Sequence, residues 1–338
     1  MIRRLCFAVA AVITALTAGA QATFCVNSGI SDEALITRIE NSVNDLMTSI
    51  NVCYVKDKDK VQLSKELFSE GARNDVNEMW EGTGHMSVPD GDYAGPVIRL
   101  PKVGQHDAYE VRNIPVDFHR GDSIMRHELV LDVGTSGKVF AVKVAVEKHS
   151  FMELMANSGE VDDLAQRLRV INFVEQFRTA YIRKDLEFLE SVYSDDALII
   201  TGRVLQHKVG GGMKDRMNIR GKTVLTRQTK QEYLKNLRGI FKRKDWLKID
   251  FEDLEIVKDL RYDNLYGVTL KQYWQSPGYS DIGWLFLIID MRDMARPQIY
   301  VRTWQPYKDT QNKGYNKEDI ITTRDEVFEL EDFRIELL

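Results

Sequence analysis

The 338 residues predict an α+β protein built from two domains in tandem, each with helices packed on a bent, mostly antiparallel sheet. Three observations carry that expectation. Apolar residues recur at helical spacing at the start of each half, strand-like runs rich in Val, Ile and Leu follow the helices instead of alternating with them, and the length suffices for two cores.

Residues 1–22 read as a secretory signal peptide: Arg3 and Arg4 precede an apolar run from Leu5 to Leu16, broken only by Thr14, and the small residues Ala18-Gly19-Ala20 follow. The mature chain is expected to begin at Gln21 or Thr23 and to be secreted or periplasmic. The run is too short to span a bilayer, and no later segment approaches the roughly eighteen uncharged apolar residues of a span, so stable membrane insertion is not expected. Phe24 stands where a lipoprotein signal needs a small residue before Cys25, which argues against lipidation. With Cys6 lost in the signal, Cys25 and Cys53 enter an oxidising compartment, where they either form a disulfide or stay two buried thiols. The net charge of −5 becomes more acidic without Arg3 and Arg4, which argues against nucleic acid as a partner.

The first domain is placed at 31–157. Ser31, followed by Asp32 and Glu33, caps a helix whose apolar stripe runs Leu35, Ile39, Val43, Leu46 and Ile50. A second, shorter helix is expected over Val61–Phe68, and a loop over Gly82–Gly104, where Gly, Pro and Asp are dense. Strands follow at Tyr109–Phe118, Met125–Val133 and Lys138–Lys148, the last two joined by a hairpin turn at Gly134-Thr135-Ser136-Gly137. His85, His106, His119, His127 and His149 share no metal-ligand spacing, so neither a metal nor another cofactor is expected.

The second domain is placed at 162–306. Asp162 caps a helix carrying Val170, Val174, Phe177 and Tyr181, and Asp185 caps a short one carrying Leu186, Leu189 and Val192. After a strand at Ala197–Val204, Thr229 and Glu232 form a capping box that opens a third helix. Four strands complete the domain: Leu247–Val257, Leu265–Gln275, Ile282–Met291 and Gln298–Gln305. In the first, the apolar phase switches between Phe251 and Leu254, as a bulge requires. Trp284–Ile289 is apolar at every position and should be a central strand covered on both faces.

Three helices and a bent antiparallel sheet, with Ser194-Asp195-Asp196-Ala197 closing the helix pair, resemble the nuclear transport factor 2-like (NTF2-like) superfamily. That cone-shaped fold is shared by ketosteroid isomerase, scytalone dehydratase and polyketide-cyclase-like proteins. The resemblance covers 162–306, and Leu67-Phe68-Ser69-Glu70-Gly71-Ala72 lines up with Val192–Ala197, which suggests a divergent tandem copy; an unrelated α+β domain is the alternative. The resemblance implies a pocket and, often, dimerisation through the sheet. It also places the isomerase's oxyanion tyrosine at Phe177 and its general base at Thr201, neither of which can do that work.

Beside Phe177 and Thr201, the aromatics Tyr181, Tyr233, Trp274, Trp284 and Trp304 are candidates to line the pocket and bind an apolar or planar ligand, with plain core packing as the alternative. Asp195 and Asp196 read as caps before they read as acids. Lys208, Lys214 and Arg216, around Gly210-Gly211-Gly212, are candidates for an anion-binding loop, against a solvated loop. The tail 307–338 either adds an edge strand, docks on a domain or meets a partner. Together these point to an exported, non-catalytic protein that binds a small apolar ligand or a protein partner, and that can pair as a homodimer. The alternative is an isomerase- or dehydratase-type enzyme with acids at non-standard positions.

Overall fold

Asp32, one residue after Ser31, caps the first helix: its Oδ1 accepts from the backbone N–H groups of Ala34 and Leu35, both at 3.0 Å, and α1 runs Glu33–Val55. The structure is a computed structural model describing residues 22–83, 85–103, 106–120, 123–146, 151, 161–205, 222–308 and 322–333. It divides into two units, 1–80 with 84–143 and 81–83 with 144–338. Both are α+β, with helices and a six-stranded sheet apiece. Among the described residues no helix is long and apolar enough to cross a membrane.

In the first unit β1 (Thr23–Ser28) pairs in parallel with β3 (Asp92–Val103), and β4 (His106–Arg120), β5 (Ser123–Gly134) and β6 (Val139–Val144) follow in order across the sheet. A two-residue β2 (Met86–Ser87) pairs with β4. Strand β1 lies at an edge, and α1 satisfies it: Phe24 N–H donates to Asn44 Oδ1 at 2.9 Å and Val26 N–H to Glu40 Oε1 at 2.8 Å. Cys25 is thereby held level with residues 40–44 of α1, whereas Cys53 sits nearly three turns further on, its Sγ 3.3 Å from the Lys58 carbonyl. That is about 13 Å of helix, well beyond the roughly 7 Å that a disulfide's Cα atoms can span. Cys25 and Cys53 are therefore two separate thiols, and the expected pairing is not made.

The second helix lies later than expected. Residues 61–64 are irregular, tied down by Asn77, whose side chain bonds both the N–H and the carbonyl of Val61. Helix α2 runs Glu70–Thr83, with Ser69 Oγ accepting from Ala72 N–H at 3.1 Å. Ser69 with Ala72, Val76, Met79 and Trp80 is a cap and an apolar stripe that periodicity alone could have found. The expected loop at 82–104 contains β2 and β3, because pairing with β1 and β4 holds as a strand a segment too rich in Gly and Pro to look like one. At Gly134–Gly137 the hairpin turn forms as expected. The proposed match of 67–72 to 192–197 does not hold residue by residue, since the first leads into α2 and the second opens a strand.

In the second unit α3 (Val161–Arg183) and α4 (Leu186–Val192) precede β7 (Tyr193–Leu205) and β8 (Lys222–Gln228); α5 (Lys230–Arg243) precedes β9 (Lys248–Lys258), β10 (Leu265–Ser276), β11 (Tyr279–Asp290) and β12 (Gln298–Lys308). The sheet order is β8-β7-β12-β11-β10-β9, antiparallel except for the β12–β7 pair. Asp162 lies inside α3 instead of capping it. Asp185 does cap α4, and Thr229 with Glu232 forms the capping box of α5. The bulge in β9 falls at Asp253, whose φ of 51° breaks the register between Thr269 and Lys271 on the neighbouring strand. Strand β8 was not anticipated: it is a polar edge strand with no apolar period of its own, formed by pairing with β7. The described part of the tail, 322–333, makes two single 3-10 turns that dock on the sheet, and no edge strand.

Candidate functional site

Strand alternation divides the second unit's sheet into two faces with different covers. One face of β11 presents Trp284, Phe286 and Ile288 to Val327, Leu330 and Phe333 of the tail. On the other face, between the sheet and α5, lies a cavity of about 450 Å³, inside the range of roughly 300–1,000 Å³ common for small-molecule sites. Helix α5 contributes Tyr233, Leu237 and Ile240, and the sheet contributes Trp274, Asp281, Arg302 and Trp304.

Of the sequence-derived pocket residues, Thr201, Tyr233, Trp274 and Trp304 line this cavity. Phe177 is fully buried in α3, edge-on to Tyr181 and Tyr193, and does not. Tyr181 stands one layer behind the wall: its hydroxyl bonds Tyr193 at 3.0 Å and Tyr233 at 2.6 Å. Trp284 points to the opposite face, edge-on to Tyr307, because it is an odd number of residues from the cavity-facing Asp281. Lys208, Lys214 and Arg216 lie outside the described residues. Asp195 is exposed and pairs with Lys230 at 2.8 Å, consistent with a surface role. Among the described residues no group of three or more His, Cys, Asp or Glu side chains could hold a metal ion.

The residues that sequence reasoning missed are the polar ones. Arg302 is buried on β12, its guanidinium carbon 5.0 Å from the centre of the Tyr233 ring. Burial pushes Tyr181 and Tyr193 well above the ordinary phenol value, so both are neutral hydroxyls. Burial works against the Arg302 charge, but its value ends above the ordinary guanidinium value, with the Tyr181 side chain hydrogen-bonded to it, and it stays protonated. Strand register sets Arg302 opposite Leu287 and Ile199, and Asp281 opposite Trp274, towards the β10–β11 turn. Burial raises the Asp281 carboxyl to about 6, against opposing help from the Tyr279 hydroxyl, which donates to its Oδ2 at 2.5 Å, and from the Arg302 charge. Five buried polar atoms on the cavity's lining residues have no hydrogen-bond partner: Ser276 Oγ, Asp281 Oδ1, Arg302 Nε and Nη1, and Trp304 Nε1. The available signal was an arginine two residues before Trp304 on one strand face.

Gly283 explains how Trp304 is placed. A Cβ there would fall 2.4 Å from the indole, so only glycine lets the ring lie against β11.

The raised Asp281 value has a sign that can be tested. A carboxyl with a folded-state value near 6 and an unfolded value near 3.9 binds its proton more tightly when folded. Its penalty is absent below about pH 4, grows as pH rises, and is complete above about pH 6. Asp281→Asn is expected to match the wild type in stability near pH 4 and to exceed it by about 2–3 kcal/mol at pH 7.5. Thermal melts of both proteins across that range decide it; parallel curves would mean that Asp281 titrates normally.

No protein-family model matches the chain, and no curated protein is significantly similar to it in sequence. Among solved structures it is similar to an NTF2-like protein from Cytophaga hutchinsonii, with 15% identity over 42% of this chain and 98% of that one and a TM-score of 0.30. An NTF2-like protein of unknown function from Shewanella oneidensis gives 15% identity, 40% and 95% coverage and a TM-score of 0.28. Bd1075 of Bdellovibrio bacteriovorus gives 11% identity, 63% and 93% coverage and a TM-score of 0.33. NTF2-like proteins recur among the structural neighbours.

Proposed function

We propose that this is an exported, non-catalytic binding protein whose second unit takes a small molecule into the cavity between α5 and the sheet. One observation carries the reading: five buried polar atoms without partners belong to residues that line a single cavity. Folded proteins satisfy nearly all such atoms, and each one left alone costs about 1–3 kcal/mol. A ligand offering complementary groups removes that cost, and Tyr233, Trp274, Trp304, Leu237 and Ile240 supply the apolar enclosure. Export rests on the signal-like residues 1–22. Saturable quenching of tryptophan fluorescence by small aromatic compounds is expected, and Leu237→Trp, which fills the cavity, should abolish it. Quenching that survives in Leu237→Trp would place binding elsewhere and overturn the reading.

A second reading, a proton-transferring enzyme of the isomerase or dehydratase type, is favoured by Asp281 alone. A carboxyl titrating near 6 in a cavity is suited to acid–base work. Turnover of any bound compound that Asp281→Asn abolishes would select it over pure binding.

A further inference from the structure

The chemistry of the cavity wall narrows the class of ligand. Arg302 is buried and protonated, and none of the carboxylates among the described residues forms an ion pair with it. Its charge is met by the Tyr233 ring face and by neutral tyrosine hydroxyls, and Asp281, whose carboxyl feels that charge, makes no ion-pair contact with it. Lys244, the other cation on the wall, already donates to the Pro277 carbonyl at 2.6 Å. One cation outside any ion pair suits one negative charge. A phosphate dianion would bring a second charge towards the Asp281 carboxylate. Trp304 lies on the same strand face two residues from Arg302 and adds an aromatic wall beside it. The enclosing side chains, Tyr233, Trp274, Trp304, Leu237 and Ile240, are flat or aliphatic.

We propose that the cavity binds a small aromatic monocarboxylate, its carboxylate paired with Arg302 and its ring held between α5, Trp274 and Trp304. This rests on the binding reading above and adds the charge of the ligand. The two are separated by measuring matched acids and amides on the mature chain by calorimetry at pH 7.5: benzoate with benzamide, cinnamate with cinnamamide, and 1-naphthaleneacetate with 1-naphthaleneacetamide. At least one acid is expected to bind about 10- to 100-fold more tightly than its amide, the range that a charge-assisted hydrogen bond supplies. Arg302→Gln should erase that preference by weakening the acid alone. Asp281→Asn, which removes negative charge from the same wall, should raise the preference for the acid over its amide about two- to tenfold; because it keeps Arg302, it tests the proposal even if Arg302→Gln does not fold. Amides that bind as well as their acids would overturn the carboxylate proposal and leave the binding reading standing. Failure of all six compounds to bind would count against both.

Discussion

Leu330→Ala combined with Phe333→Ala is expected to lower the unfolding free energy by about 5 kcal/mol and to make the protein self-associate. Both side chains are buried against Leu265, Trp284, Phe286, Ile288 and Val301, and the rings of Phe333 and Phe286 stack at 5.9 Å. Gly267 makes room for this docking, since a Cβ there would lie 2.7 Å from Leu330 Cγ. Gln305 anchors the tail by donating to the Glu326 carbonyl at 2.8 Å and accepting from Phe328 N–H at 3.1 Å. Fully buried Leu→Ala and Phe→Ala changes cost about 2–5 and 3–5 kcal/mol. The lower ends apply here, because a docked tail can peel away instead of leaving a rigid void. Peeling exposes Trp284, Phe286 and Leu265 as one apolar patch, and such patches drive association. Urea titration and sedimentation at rising concentration measure the two effects. A loss below about 1 kcal/mol with no association would mean that the sheet face does not depend on the tail.

Arg178→Met is expected to cost about 3–5 kcal/mol, the range for breaking a buried charge network on one side. Its guanidinium reaches three ways from α3: Nε to the Ile249 carbonyl at 2.7 Å, Nη1 to the Ala145 carbonyl at 2.5 Å, and Nη2 to Asp250 Oδ1 at 2.6 Å. Methionine fills much of the volume and satisfies none of these acceptors. Asp250 retains Lys248 at 2.9 Å, so the two carbonyls bear most of the loss. Arg178→Lys should recover only part of the stability, because one ammonium cannot point along three fixed directions of a planar fork. Chemical denaturation of the three proteins tests the order, and equal stability of the lysine variant and the wild type would refute the geometric argument.

The parts of the fold that could be read in advance were those whose signal is local. Asp185 and the Thr229–Glu232 pair bond to backbone within three residues, and they cap α4 and α5 as expected. Strands β9 to β12 carry their own apolar signal, continuous in β11, and the phase switch after Phe251 marked the bulge at Asp253. Where the signal lay in a neighbour, reading failed. Strands β1, β3 and β8 are polar or broken by Gly and Pro, and they are strands because others pair with them. Helix α2 is the exception, since its cap at Ser69 and its stripe to Trp80 were present and were passed over.

The candidate site divides along the same line. Composition and spacing were sufficient for the α+β class, for the helix-then-sheet order of the second unit, and for four of its cavity residues, Thr201, Tyr233, Trp274 and Trp304. They could not say which face of β11 meets α5 and which meets the tail, because that depends on register between distant strands, and a step of one residue exchanges the faces. Hence Trp284 lies under the tail while Asp281 and Arg302, which no local pattern distinguishes, come to one cavity wall. Bringing a cation and a carboxyl to one buried wall is what makes them chemically distinctive, and that wall exists only once the sheet has closed over α5.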